Sequence, residues 1–198
     1  MYDWRSMTDE ERAAALAARK AQGHPWHRPP HPCQGDGAYH LSAAGFEHTA
    51  VIGHSPERMA ECEQGLLATL QPHAQERIAW CILPNHYHFL VETASLKAVL
   101  GALGQFHGRT SFQWNGEENT RGRKVWYKCA DRAIRSERHF WATVNYIHHN
   151  PVHHGYVEQW QDWPYSSADA YLDAVGRDEA HRIWREYPLL DYGKGWDI

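Results

Sequence analysis

The sequence predicts an α+β fold, a ferredoxin-like split βαβ in which an antiparallel sheet carries helices on one face and has N- and C-terminal extensions. Three observations lead there. Strand and helix patterns follow one another as βαββαβ and then a further helix, the order of a split βαβ unit. Two of the strand patterns, 76–83 and 86–93, are separated only by Pro84-Asn85, a connection that reads as an antiparallel hairpin. The chain has 198 residues, 42% hydrophobic and 13% aromatic, enough for one domain with a sizeable core and too few for two ordinary domains with linkers.

Taken in order, Thr8-Asp9-Glu10-Glu11 resembles a capping box and opens an Ala-rich helix to about Gln22. Gly23 to Gly37 holds Pro25, Pro29, Pro30 and Pro32 among histidines and reads as an extended linker. His24, His27 and His31 lie in it without the pairing that defines a metal site. Tyr39 to Ile52 is rich in apolar and β-branched residues, suiting a strand or a hairpin broken at Gly45. Ser55-Pro56-Glu57 supplies an N-cap with Pro in the first turn, and Met59, Cys62, Leu66, Leu67 and Leu70 recur at helical spacing until Pro72. The two hairpin strands follow, then a helix carrying Leu96, Val99, Leu100, Leu103 and Phe106. A polar loop at Gly116 to Gly122 precedes a strand over Lys124 to Ile134. Ser136 caps the last helix of the series, which Pro151 is expected to stop at about Asn150. Three regions result: 1–37 with the helix and His/Pro-rich linker, a domain over 38–172, and a tail over 173–198.

Composition narrows the function. No apolar run approaches the roughly 18 residues needed to span a bilayer, and the N-terminus lacks a basic segment followed by an apolar core, so a cytoplasmic protein with no membrane partner is expected. Cys33, Cys62, Cys81 and Cys129 lie far apart and read as reduced thiols. The net charge of −4 does not advertise a nucleic-acid binder, yet Arg121, Arg123, Lys124, Lys128, Arg132, Arg135 and Arg138 face only Asp131 and Glu137 between 121 and 138. Such a cluster can hold phosphates or be a solvated surface; Trp126 and Tyr127 within it favour stacking on bases.

His86 and His88 stand one residue apart at the start of a strand pattern, so both imidazoles project from one face and can approach one divalent ion, while Tyr87, Phe89 and Val91 face the opposite layer. Alone, the pair is equally two polar residues on the wet face of an amphipathic strand. Tyr146 and Asn150, four residues apart in a helix, share a face. If that face covers the strand, Asn150 could complete a metal shell and Tyr146 could address a phosphodiester. A Tyr near a helix end also commonly packs its ring and leaves its hydroxyl at the surface.

Pro84-Asn85-His86-Tyr87-His88-Phe89-Leu90-Val91, together with Tyr146-Ile147-His148-His149-Asn150-Pro151-Val152 and Gly155, resembles the HUH-type single-tyrosine transposases. Asp162-Trp163-Pro164-Tyr165-Ser166-Ser167 is similar to the REP-associated subgroup, and the likeness covers roughly 39–171. The resemblance implies a metal-dependent single-stranded DNA endonuclease and strand transferase, with His86 and His88 as ligands of Mg²⁺ or Mn²⁺, Asn150 as a third ligand and Tyr146 as nucleophile. It implies a single-stranded or hairpin DNA substrate, held by the 121–138 cluster, and favours a monomer over the homodimer of insertion-sequence relatives. A domesticated hairpin-binding module with little or no cleavage is the alternative. Where relatives often carry Arg or Lys after Asn-Pro-Val, this chain has His153 and His154.

Overall fold

The computed structural model describes residues 37–193 together with Thr8, Glu10 and Ala14. The His/Pro-rich linker, most of the expected N-terminal helix, and residues 194–198 lie outside the described residues.

Strand β1 (Gly37–Ala44) leads through two short 3-10 turns to helix α1 (Pro56–Leu70), hairpin strands β2 (Glu76–Ile82) and β3 (His86–Thr93), helix α2 (Leu96–Glu117), strand β4 (Ala130–Ala133) and helix α3 (Glu137–His153). Helices α4 (Ala168–Val175) and α5 (Arg177–Glu186) follow. The sheet order is β2-β3-β1-β4 with every neighbouring pair antiparallel, the split βαβ arrangement.

Strand alternation divides the core in two. Tyr39, Leu41, Tyr87, Phe89 and Val91 pack under α1 and α2, which contribute Met59, Leu66, Leu70, Leu96, Val99 and Leu103. Ala79, Cys81 and Leu90 point the other way and pack against Val144, Tyr146 and Ile147 of α3. The expectation of helices on one face therefore holds for α1 and α2 and is corrected for α3. On the opposite face His40, Ala79, Cys81, His86, His88 and Leu90 are themselves buried, so the second face also needs a cover.

The N-caps behave as their residue types dictate. Ser55 accepts from the Arg58 amide, Ser95 from Ala98 and Ser136 from His139. Arg58 is buried and spans from α1 to the end of α2, bonding Val51 O and the carboxylates of Glu117 and Glu118. Three expected boundaries move. α2 runs on to Glu117 because its last turns bury Thr110, Trp114 and Asn115. The 124–134 strand shrinks to β4 and an isolated bridge between Trp126 and Gly45. α3 passes through Pro151 to His153 and is closed off at Gly155, whose φ is +71°; Tyr156 N–H donates to Pro151 O and Gly155 N–H to Val152 O, a Schellman closure. In the final turn proline forfeits one backbone hydrogen bond, and the glycine decides where the helix stops.

The 163–167 segment runs beside β2: Ile82 N–H donates to Tyr165 O, Ser167 N–H to Trp80 O, and Trp80 N–H to Ser167 Oγ. Trp163 Nε1 donates to Ile82 O. An edge that would otherwise offer unpaired backbone groups is thereby covered.

Candidate active site

The side of the sheet under α3 carries His40 from β1 and His86 and His88 from β3, all buried. α3 brings Tyr146 and Asn150 over them, one turn apart. Asn150 Oδ1 lies 3.0 Å from His86 Nε2, and Asn85 Oδ1 lies 2.7 Å from His86 Nδ1. His88 Nδ1 meets His40 Nε2 at 3.1 Å. The Tyr146 ring stands edge-on to His88, with centroids 5.2 Å apart, and edge-on to His40 at 5.8 Å. All four residues singled out in the sequence thus converge within one chain.

Two imidazole nitrogens and an amide oxygen form a mixed donor set that could hold a divalent cation accepting both nitrogen and oxygen, as Mn²⁺ does. His86 Nε2 and Asn150 Oδ1 stand at hydrogen-bonding distance, 3.0 Å, close enough for both to approach one ion. Asn150 is 1% exposed, and its Nδ2 has no hydrogen-bond partner, a costly state that marks the amide as held for its oxygen. Among the described residues no group of three or more His, Cys, Asp or Glu is placed to hold a metal, so a centre here would rest on two imidazoles and an amide. His148, His149, His153 and His154 form no second centre. His148 bonds Ser167 Oγ at 2.8 Å, and His149 packs on Trp184.

Burial dominates the electrostatics. It holds the His40 imidazole well below its ordinary range, with further lowering from His88, Arg132 and His139. His148, which is 3% exposed, is pushed down to about 3 by burial.

Tyr146 is 5% exposed. The segment after α5 lies over it: Asn145 Nδ2 donates to Tyr187 O at 2.9 Å, the Tyr192 and Thr143 hydroxyls are 2.5 Å apart, and the Tyr192 ring stands 5.5 Å from Tyr146.

The basic cluster separates into three groups. Arg123 bonds Asn115 and Glu118, and Arg121 lies over Phe112 and donates to Phe112 O; both brace the turn after α2. Lys124 sits over Phe46 and Tyr127 at the same end of the sheet as Asn85, while Lys128 is exposed. Arg132 pairs with His40 in the β1–β4 register, so its side chain projects from the face that α3 covers; Arg135 and Arg138 are exposed at the start of α3. Trp126 is corrected as a base-stacking residue. It is 7% exposed, donates to Thr110 Oγ1 and stacks on His107 at 4.5 Å. A ring enclosed on both faces has none left for a base.

Sequence reasoning missed His40, Asn85 and the covering segment. His40 was discoverable as the polar residue between Tyr39 and Leu41, hence on the α3 side. Asn85 had no signal beyond adjacency to His86, and no local pattern marked residues 187–193.

No family model matches the chain. A candidate REP-associated tyrosine transposase of Haemophilus influenzae is 32% identical over 110 residues, covering 50% of this chain and 62% of that protein. The REP-associated tyrosine transposase of Escherichia coli K12 is 29% identical over 99 residues, 45% of this chain and 52% of its own. The chain therefore spans between about half and three fifths of these relatives' length. A solved REP-associated tyrosine transposase, bound to a REP hairpin, superimposes with a TM-score of 0.55 at 19% identity, covering 71% of this chain and 81% of that one. The chain is thus similar in sequence to REP-associated tyrosine transposases and shares the fold of the solved one, in line with the resemblance to the HUH-type single-tyrosine transposases.

Proposed function

We propose that the chain is a metal-dependent single-stranded DNA endonuclease and strand transferase in which Tyr146 is the nucleophile. The observation that carries this reading is the meeting of Tyr146 and Asn150 with His86 and His88 on one face of the sheet. His86 Nε2, His88 and Asn150 Oδ1 would hold Mg²⁺ or Mn²⁺, whose Lewis-acid charge supplies stabilisation at the scissile phosphate and the departing 3′ oxygen. Tyr146 Oη attacks phosphorus and loses its proton; the P–O3′ bond breaks, leaving a 5′-phosphotyrosine on one DNA end and a 3′-OH on the other. The ester linkage is conserved, so reversal by another 3′-OH rejoins a strand without ATP. A hairpin DNA substrate is supported by the bound REP hairpin of the solved relative. That one chain supplies all four residues supports a monomer.

The cover over Tyr146 favours a second reading, a hairpin-binding module with little or no cleavage. Incubation of wild type and Tyr146→Phe with labelled single-stranded hairpin oligonucleotides, with Mn²⁺ or EDTA, separates the two. A denaturation-resistant adduct on wild type alone, dependent on Mn²⁺, is expected; binding without an adduct would establish the second reading.

A further inference from the structure

We infer that His40 is a positioning residue for His88, holding it in the one tautomer that can ligate the ion. The inference rests on the reading of His86, His88 and Asn150 as a metal centre. His40 belongs to a different strand from the histidine pair. In the β1–β3 register His88 pairs with Ser42, so His40 is its diagonal neighbour on the same face, a position long side chains can reach. The contact is direct: His40 Nε2 and His88 Nδ1 are 3.1 Å apart, the rings tilted by 39°, the residues 4% and 1% exposed.

Tautomer logic gives this contact its consequence. With Nδ1 engaged by His40, only His88 Nε2 remains to ligate, and it must present a lone pair. The His88 proton is then on Nδ1 and is donated to His40 Nε2, which accepts; the His40 proton resides on its own Nδ1. The reverse arrangement, with His40 Nε2–H donating, places the His88 proton on Nε2 and turns an N–H towards the ion. His86 has an equivalent device, since its Nδ1 meets Asn85 Oδ1 at 2.7 Å and its Nε2 faces Asn150. Each ligand therefore has its own partner behind the ring, an amide oxygen for one and an imidazole for the other. Metal-ligating histidines generally use a carboxylate, carbonyl or water there.

Mn²⁺ titration of the full-length chain followed by electron paramagnetic resonance, with folding checked by circular dichroism, tests this in wild type, His40→Phe, His40→Gln and His86→Ala. His40→Phe, which lacks an acceptor, is expected to bind Mn²⁺ about 10–100-fold more weakly. His40→Gln, whose amide oxygen can accept the same proton, is expected to recover most of the affinity. A folded His40→Phe with wild-type affinity, against a weakened His86→Ala, overturns the role of His40 alone, as does a folded His40→Gln no better than His40→Phe. Equal uptake by wild type and His86→Ala overturns the metal reading itself. Should the variants not fold, imidazole ¹⁵N spectra of the wild type with Mg²⁺ decide: protons on Nδ1 of both His40 and His88 are expected, and a proton on His88 Nε2 overturns the assignment.

Discussion

Gly193 packs so closely on Tyr146 that a Cβ at position 193 would lie 2.1 Å from Cε2 of the tyrosine ring. Its φ of +82° is also one that side-chain-bearing residues rarely adopt. Gly193→Ala should consequently lift the 187–193 segment, since one movement relieves both the clash and the backbone strain. The expected result is a several-fold rise in phosphotyrosine adduct with an unchanged circular dichroism spectrum. Unchanged adduct yield would show that the segment does not limit access to Tyr146.

The exposed cations should act through phosphates. Replacing Arg135 and Arg138 by Ala is expected to weaken oligonucleotide binding about equally for every sequence, and to flatten the slope of log affinity against log salt by about 0.7 for each phosphate no longer neutralised. Trp126→Ala should leave that slope intact and lower the thermal midpoint, because the indole is enclosed by Thr110 and His107. Filter binding at three salt concentrations, beside a thermal melt, distinguishes the two behaviours.

Acid should weaken the fold through His148. Its folded-state pKa is depressed to about 3 from an ordinary 6.5. Between those values the unfolded chain binds a proton that the native chain does not, so stability falls as pH drops below about 6.5. This one group accounts for up to about 1.4 kcal/mol per pH unit. Urea unfolding at pH 7, 5.5 and 4.5 measures the slope, and His148→Gln should make it shallower.

Core geometry predicts a contrast between two phenylalanines. Phe89, fully buried under α1 and α2, should cost about 3–5 kcal/mol when truncated to Ala. Phe112, 72% exposed, should cost well under 1 kcal/mol. Chemical unfolding of both variants gives the comparison.

Much of this was legible locally. The Ser55 and Ser136 caps, the Pro84-Asn85 hairpin and the alternation through His86 and His88 are all short-range signals, set by backbone hydrogen bonding and side-chain period. Where the structure departs from the local pattern, local and tertiary forces compete. Pro151 reads as a stop, but it sits where only one helical bond is forfeited and Gly155 closes the turn. Trp126 reads as a surface aromatic among cations, but the bridge to Gly45 turns it inward.

By itself the sequence determined the order of elements, the strand alternation that puts His86 and His88 on one face, and the helical turn shared by Tyr146 and Asn150. Those are periodicities of a few residues, and they survive any arrangement of the parts. Only the tertiary structure decided that α3 crosses the face bearing the histidines, that His40 stands behind His88, and that Gly193 covers Tyr146. These pairs join residues from 47 to 64 positions apart, brought together by burial of both sheet faces, which no local pattern encodes.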